Sequence, residues 1–402
     1  MTAEGVRSRP SQVGFLALVG YALAAPISIF ASQSCLIVAL IAFLVDIGAA
    51  MRRLRSAGVR WLGAGAGGFA VCSLVSAALS PSPVESLVDC KSLLLVLLPF
   101  TILAFLDTAR RWRVFLAALA VSSLIAAGFG IYQYFFQLGA AGLEGRARGF
   151  FSIYMTYGQF MMVIASFAFA LVTEPGTLAR RLAAAGVAVA STAAVVLSYV
   201  RGAWVGMLAG LAALLLRKKP WYLLGVPGIL LFLLVLAPLN VFTRMVSIVS
   251  LRDESNRDRI DMVRSGVLMI RDHPLFGLGP NMVSRAYVLY MMPGAFPRVS
   301  PHLHNNVVHL GAERGLFALF FWCLMFGAYF GRVISLLRRA PAGARAPPLL
   351  DASLAAVVSF LVAGMFDYNF GDSEVVMPVL MALAIPYVQW GSREPSAASS
   401  DP

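Results

Sequence analysis

Apolar stretches of membrane-spanning length recur along the whole chain. Most are close to the roughly 17–25 residues that an α-helix needs to cross the hydrocarbon core of a bilayer. The pattern predicts about twelve spans. Their approximate bounds are 13–31, 34–51, 61–80, 91–107, 114–134, 157–174, 182–199, 202–216, 221–240, 306–331, 349–366 and 374–391. We therefore expect an all-α polytopic membrane protein.

Composition supports this fold class. Of the 402 residues, 59% are hydrophobic and only 13% are charged, whereas soluble proteins carry about a quarter charged residues. The first span follows only Arg7 and Arg9 and runs directly into the second without a small-residue cleavage site, so we expect an anchor and not a signal peptide. The four cysteines lie in or beside apolar segments and do not form the pattern of a disulfide-rich domain.

Basic residues are concentrated in alternate loops. With a cytoplasmic N-terminus, the inner loops hold Arg52, Arg53, Arg55, Arg60, Arg110, Arg111, Arg113, Arg180, Arg181, Arg217, Lys218, Lys219, Arg332, Arg338, Arg339 and Arg345. The short outer loops hold only Lys91 and Arg201. The positive-inside rule therefore predicts that both termini are cytoplasmic. The net charge of +13 is in part a consequence of this topology, so we expect no nucleic-acid partner.

The topology divides the chain into four regions. Residues 1–240 hold spans 1–9, with an outer loop at about 136–156, and residues 241–305 form a large outer segment between spans 9 and 10. Residues 306–391 hold spans 10–12, and 392–402 form a cytoplasmic, disordered tail.

Both outer segments carry arginines. The first has Arg146 and Arg148; the second has Arg244, Arg252, Arg257, Arg259, Arg264, Arg271, Arg285 and Arg298. Long segments can be translocated despite their charge, so the topology stands, and the arginines suggest an anionic ligand. Because acidic residues such as Asp253, Glu254 and Asp258 are interspersed with them, a simply solvated loop is the alternative.

The large outer segment is expected to be partly helical. Residues 259–270, "RIDMVRSGVLMI", have the spacing of an amphipathic helix with Arg259 at its start. In "RDHPLFGLGPNM", residues 271–282, the prolines and glycines predict a tight turn that folds this helix back over the membrane. A second short helix is expected at about 281–292.

Histidines follow this segment at the outer end of a span. His302, His304 and His309 suggest a metal site, but only His309 and Glu313 have the i, i+4 spacing of helical ligands, and no cysteine is near them. The chain also has no D-x-D sequence to hold a metal-bound pyrophosphate. We therefore expect no metal and no cofactor.

These stretches resemble the O-antigen ligase and polymerase superfamily of envelope proteins. "RIDMVRSGVLMIRDHPLFGLGPN" and "HNNVVHLGAERGLFA" carry the resemblance, with His304 and Asn305 followed by nine residues and Gly315. The ligase pattern ends in a second glycine where this chain has Ala318, and many relatives have Trp where it has Val263. "RARGFF" and "SYVRGAW", centred on Arg148 and Arg201, also look like family features.

The resemblance implies a glycosyltransferase, an O-antigen ligase. It would move O-polysaccharide from undecaprenyl pyrophosphate to a sugar hydroxyl of the lipid A core, on the periplasmic side of the bacterial inner membrane. Its partners would be this donor, this acceptor and the membrane lipids. We expect an inverting displacement without a metal, with arginines in the place of the metal.

The residues suggest roles for this chemistry. His304 would act as the base or orient the acceptor, or simply cap the span, because an imidazole can take a proton at external pH. Asn305 would orient the sugar or cap the helix. Other candidate bases are Glu144, Asp261 and Asp372.

Arginine guanidinium groups suit a pyrophosphate because they are planar and stay ionised. Arg259, Arg201 and Arg148 are the first candidates for such a clamp, followed by Arg146, Arg257 and Arg264. Snorkelling to the membrane surface is the alternative for Arg201, and a lipid-headgroup contact is the alternative for Arg148.

Other functions stay open at this point. An O-antigen polymerase would use the same carrier with a carrier-linked saccharide as acceptor, and an oligosaccharyltransferase would modify protein. A transporter or flippase for lipid-linked saccharides is the alternative from another class, although such proteins place ionisable residues within their spans. The glycine-rich "GAGAGGFA" at 63–70 lacks the Lys-Ser or Lys-Thr of a phosphate loop and indicates close helix packing.

Overall fold

The computed structural model describes residues 9–137, 145–218, 253–294, 302–339 and 347–389. Within these ranges the regular structure is helical and no strand occurs. The helices up to residue 132 are α1 (Arg9–Ala24), α2 (Ile29–Val45), α3 (Ile47–Ala57), α4 (Arg60–Ala78), α5 (Pro83–Asp89), α6 (Leu98–Phe105) and α7 (Ala109–Tyr132). Those that follow are α8 (Tyr154–Thr173), α9 (Leu178–Leu197), α10 (Arg201–Lys218), α11 (Glu254–Asp272), α12 (Val283–Tyr290), α13 (Asn306–Arg339), α14 (Leu350–Ala363) and α15 (Ser373–Ala384).

The predicted apolar segments fall on these helices. The first eight and the last three each overlap one helix or two consecutive helices, and the ninth, 221–240, lies outside the described residues. The fourth, 91–107, covers a 3₁₀-helix (Cys90–Leu97) followed by α6. Among the described helices, six are long and apolar enough to cross a membrane, or up to seven if the bent pair of α2 and α3 is one span. The fold class is therefore confirmed as helical with several candidate spans, whereas a total of twelve spans is not. The tail at 392–402 also lies outside the described residues.

One predicted span is broken. We expected a single helix over 34–51, but the chain bends by 92° between α2 and α3 at Asp46. The cause is the charge of α3, because Arg53 donates a hydrogen bond to the carbonyl of Ala104 at the end of α6 and lies near Asp107. Turning α3 across the end of α6 keeps its arginines out of the apolar layer.

Small residues set the spacing of the central helices. α4 packs along α13, where a Cβ added to Gly65 would lie 2.6 Å from the backbone nitrogen of Met325. α10 packs on α14 in the same way, because a Cβ on Gly206 would lie 2.5 Å from the carbonyl oxygen of Ser359. Only glycine allows backbones to approach this closely. The interpretation of the 63–70 stretch as a helix-packing surface is confirmed.

The outer segment contains the two predicted helices. α11 begins at Glu254, earlier than expected, so Arg259 lies in its second turn and not at its start. The reason is a cap: the side chain of Asp253 accepts a hydrogen bond from the backbone N–H of Asn256. α12 matches the second predicted helix.

The turn between α11 and α12 packs against a kink in α13. Gly315 has φ 79° and ψ 172°, which interrupts the helix and frees backbone carbonyls. The turn satisfies them, because the N–H groups of Leu278 and Gly279 donate to the carbonyls of Ala312 and Glu313. In return Leu316 donates to the carbonyl of Pro274. The predicted turn therefore fixes α11 against α13.

Candidate functional site

His304 and Asp367 form a hydrogen-bonded pair at one end of the helix bundle. His304 precedes α13 and Asp367 follows α14; His304 Nδ1 and Asp367 Oδ1 are 2.9 Å apart. Asp367 is buried and also accepts hydrogen bonds from the Gln159 side chain and from the backbone N–H of Tyr368. Burial alone would raise the pKa of Asp367, but the hydrogen bond and charge of His304 outweigh it and hold this pKa below its usual value.

This pairing assigns the tautomer of His304. An ionised carboxylate can only accept hydrogen bonds, so Nδ1 of His304 carries the proton and donates it to Asp367. The basic lone pair then belongs to Nε2. A carboxylate that orients an imidazole in this way is a recurring arrangement in enzymes that use histidine as a base.

His302 lies beside this pair. The ring centroids of His302 and His304 are 4.3 Å apart, and the rings meet edge to face. Burial, followed by the charge of His304, lowers the pKa of His302 to about 4. His302 is therefore neutral at neutral pH and places no positive charge beside His304.

His302, His304 and Asp367 also have the donor set of a metal site. Their candidate ligand atoms all lie within 4.8 Å of one another. Residue spacing along the chain does not reveal this group, because Asp367 lies far from both histidines in the sequence. Two imidazoles and a carboxylate suit a zinc ion with an open position. A metal bound by both His304 Nδ1 and Asp367 would take the place of the proton that joins these two residues, whereas a metal on His304 Nε2 would leave that proton in place.

Arginines face His304 across a cavity of about 280 Å³, here called the cationic cavity. Its lining is Arg146, Tyr154, Met155, Tyr199, Val200, Arg201, Ser255, Asp258, Arg259, Met262 and His304. Arg201 is buried and its Nη2 lies 3.1 Å from Asp253 Oδ1, so it does not snorkel outward. Burial destabilises the charged form of Arg259 and so lowers its pKa. A bound anion would stabilise the charged form again. The guanidinium of Arg146 lies 4.5 Å from the centre of the Tyr154 ring.

The other candidate arginines lie elsewhere. Arg148 is exposed and does not line the cationic cavity, although its backbone N–H donates to Gln133. Arg257 is also exposed on α11. Arg264 is exposed, pairs with Asp261 at 3.3 Å and borders the neighbouring groove. Of the expected clamp residues, the structure thus brings Arg201, Arg259 and Arg146 to His304.

An apolar groove adjoins the cationic cavity. It has a volume of about 370 Å³ and shares Arg201, Arg259 and His304 with that cavity. Its remaining lining, largely apolar, is Gly202, Val205, Asn256, Ile260, Val263, Arg264, Met365 and Phe366. Cavity and groove together suit an amphiphile with an anionic head.

Asn305 and Asn306 tie the start of α13 to the loop that carries Asp367. Asn305 accepts from the backbone N–H of Val308, as a helix cap does, and donates to the carbonyl of Met365. Asn306 donates to Asn369 and accepts from the backbone N–H of Phe370. In the structure Asn305 therefore makes the capping interaction, and the two asparagines position His304 opposite Asp367.

A second cavity borders His302 and His309. It has a volume of about 480 Å³ and is here called the acidic cavity. Its polar lining includes Asp89, Ser92, Thr156, Asn281, His302, His309, Glu313, Arg314, Tyr368, Asp372, Ser373 and Glu374. His309 lies at its wall, 3.5 Å from Glu313 and with its ring centroid 3.6 Å from that of Tyr368.

The candidate acidic bases have different surroundings. Burial, followed by the adjacent Glu374, raises the pKa of Asp372 to about 8, and its carboxyl group accepts a hydrogen bond from the Thr156 hydroxyl. Asp261 is engaged with Arg264 on the surface of α11. Glu144 lies outside the described residues.

Residues 186–323 match the model of the O-antigen ligase family. The resemblance inferred from the sequence is thereby confirmed for this part of the chain. None of the curated proteins matches the chain. The match indicates a transferase of ligase or polymerase type in lipopolysaccharide synthesis, and together with the apolar helices it indicates a multi-pass membrane protein.

The ligase-family match does not include the whole site. Arg201, Arg259, His304 and Gly315 lie within it, whereas Arg146 and Asp367 lie outside. Asp367 was missed by the sequence reasoning. The available signal was the polar stretch "DYNFGD" at 367–372, which interrupts two apolar segments at the end of the bundle where the other site residues were expected.

Proposed function

We infer that the chain is an O-antigen ligase that transfers O-polysaccharide from undecaprenyl pyrophosphate to a sugar hydroxyl of the lipid A core. We place the reaction on the periplasmic face of the inner membrane. The observation that carries this proposal is His304, oriented by Asp367, at the edge of a cavity lined by Arg146, Arg201 and Arg259.

The donor is proposed to bind with its head in the cationic cavity and its tail in the apolar groove. Guanidinium groups bind pyrophosphate oxygens through paired hydrogen bonds, and they stay ionised at any relevant pH. The prenyl chain would lie against Val205, Ile260, Val263 and Phe366. Because cavity and groove share Arg201, Arg259 and His304, head and tail can be bound together.

The reaction would be a single displacement. The acceptor oxygen forms a bond to the anomeric carbon while the bond from that carbon to the pyrophosphate oxygen breaks. His304 Nε2 takes the proton of the acceptor hydroxyl, and Asp367 stabilises the resulting imidazolium. The arginines hold the negative charge that develops on the leaving pyrophosphate. Attack from the face opposite the leaving group inverts the anomeric centre.

The test is transfer by purified protein in lipid vesicles. Carrier-linked O-polysaccharide is offered with either lipid A core or carrier-linked repeats as acceptor, for the wild type and His304→Gln. Transfer to lipid A core that is lost in the variant is expected. Elongation on the carrier would make the protein a polymerase, and saccharide movement without transfer would make it a transporter. Loss of transfer on chelation, restored by a divalent ion, would overturn the metal-free displacement.

A further inference from the structure

The acidic cavity is rich in carboxyl groups. Asp89, Glu313, Asp372 and Glu374 line it, together with Arg314. Arg314 is already paired, because it lies 3.3 Å from both Asp89 and Glu313. A phosphate or carboxylate that entered this cavity would therefore meet like charge and would be disfavoured. The charge is opposite to that of the cationic cavity.

The same lining offers what sugar hydroxyls need. Each hydroxyl donates one hydrogen bond and accepts others, so its site needs both acceptors and donors. Carboxylate oxygens of Asp89 and Glu374 supply acceptors. As a donor, Arg314 Nη1 is buried and has no hydrogen-bond partner among the described residues. Asp372 is held 2.5 Å from the Thr156 hydroxyl, and its raised pKa favours the protonated carboxyl group, which can donate a hydrogen bond.

Aromatic rings complete the wall of this cavity. Phe69, Tyr368 and Phe370 line it, and Phe69 and Phe370 meet edge to face at 5.6 Å. Sugar rings present C–H groups that pack on aromatic faces, whereas a prenyl chain would offer no hydrogen-bond partner to Arg314 Nη1. The combination fits a saccharide better than a hydrocarbon.

The position of the cavity relates it to the transfer step. His302 lines the acidic cavity and His304 lines the cationic cavity, and these two rings are 4.3 Å apart. A saccharide in the acidic cavity would therefore lie beside His302, whose ring contacts the ring of His304. An acceptor bound there would be close to the proposed base.

We propose that the acidic cavity binds the acceptor saccharide and selects one whose terminal sugars carry hydroxyl or ammonium groups but no phosphate or carboxylate. This inference rests on the proposed transferase function and names the acceptor class of the same site. Glu374 and Asp372 act as acceptor-binding residues. They do not contact the donor pyrophosphate, because they lie outside the cationic cavity.

The test measures acceptor binding and transfer separately. Free core oligosaccharides that end in a hexose, a hexosamine or a hexose phosphate are titrated into the protein in nanodiscs, and saturation-transfer NMR reports binding without turnover. The same three ends, attached to lipid A, then serve as acceptors in the transfer assay. Glu374→Gln and Asp372→Asn are compared with Asp272→Asn, which removes an exposed carboxylate from the end of α11.

The wild type should bind the hexose and hexosamine ends at least about ten times more tightly than the phosphorylated end, the difference expected when one like charge is introduced. Glu374→Gln should raise the KM for the hexose acceptor and narrow the discrimination against phosphate, with an unchanged KM for the donor. Asp372→Asn, which keeps a hydrogen-bond donor, should have the smaller effect. The control Asp272→Asn should behave as the wild type.

Outcomes separate this inference from the proposed function. Equal binding of phosphorylated and neutral ends, or a change in donor KM alone, would overturn the acceptor site while transfer persists. Absence of transfer by the wild type, with hexose binding that Glu374→Gln weakens, would overturn the ligase function and leave a saccharide site. Because acceptor binding is measured directly by NMR, a folded variant without transferase activity still tests the acceptor site.

Discussion

At the level of single residues, His304 has a strained backbone. Its φ of 49° lies in the left-handed region, which a side chain with a Cβ enters only at a cost of about 1–3 kcal/mol. The conformation persists because its surroundings fix it: Asp367 holds the ring, and Asn305 ties the next residue to Met365 and Val308. This strain supports a functional role, since a simple helix cap would not require it.

The first prediction concerns the carboxylate that orients this histidine. In Asp367→Asn, the side chain loses the negative charge that stabilises the imidazolium of His304. Its amide can also present either an oxygen or an N–H₂ group to His304 Nδ1, so the tautomer is no longer fixed by a carboxylate. We expect kcat for transfer to fall roughly 10²–10⁴-fold with little change in donor KM. Asp261→Asn, on the exposed face of α11, is the matched control and should keep its rate. A wild-type kcat for Asp367→Asn would remove Asp367 from the mechanism.

A second prediction distinguishes the arginines. Arg201→Lys keeps the positive charge but loses the planar fork toward pyrophosphate, so the donor KM should rise about tenfold. Arg148→Lys is the matched control, because Arg148 is exposed outside the cationic cavity, and its donor KM should stay unchanged. Steady-state kinetics with varied carrier-linked donor decide the matter. A larger effect for Arg148 than for Arg201 would contradict the assignment of the cavity.

At the level of secondary-structure elements, the kink in α13 and the turn after α11 depend on each other. A Cβ on Gly315 would lie 2.2 Å from the carbonyl oxygen of Leu275, and a Cβ on Gly277 would lie 2.6 Å from the backbone of Glu313. Both glycines also have positive φ. The histidine-bearing start of α13 and the arginine-bearing helix α11 are thus held in register through one glycine-dependent contact.

The third prediction tests this contact. Gly315→Ala should destabilise the protein by about 1–3 kcal/mol, because alanine meets both the unfavourable φ and the Leu275 carbonyl. Gly327→Ala, farther along α13, is the control, since a Cβ there has nothing within 4 Å. Thermal unfolding in detergent should show a lower midpoint for the first variant only. Equal midpoints would mean that the turn does not depend on Gly315.

At the level of the whole molecule, the helices were more predictable than the site. Long apolar runs indicate helices because each must satisfy its own backbone within the membrane, so most segments were located correctly. The bend at Asp46 was not, because it depends on the contact of Arg53 with the end of α6. The contact between Asp367 and His304 was not predicted either. It depends on how α13 packs against the loop that follows α14, and the hydrophobic periodicity of a sequence carries no information about such packing.

The arginines show the same limit on a smaller scale. Arg146 and Arg148 lie two positions apart in one loop, and the sequence favoured the second. Positive φ angles at Gly145 and Gly149 set the path of this loop, and the path turns Arg146 toward Tyr154 and leaves Arg148 exposed. Residue type alone suggests an anion site in this loop, whereas side-chain direction decides which of the two arginines lines the cationic cavity.

The fourth prediction concerns topology. We expect Asp272→Cys, at the end of α11, to react with a membrane-impermeant maleimide added outside intact spheroplasts, and Arg110→Cys, at the start of α7, to react only after lysis. The four native cysteines are first replaced by serine. Labelling of both sites from one side would contradict the alternating orientation, and with it the placement of the reaction on the outer face.

The division of the site between the family-matched residues and the rest of the chain has a consequence for exchanging parts between relatives. Residues 186–323 include His304 but not Asp367, which reaches it from the far side of α14. A chimaera that took only the matched stretch from a relative would combine the histidine of one protein with the aspartate loop of another. These two parts would not have evolved together, so their hydrogen bond could be lost. A functional exchange between relatives therefore requires two separate segments, the matched stretch and the loop at 364–372.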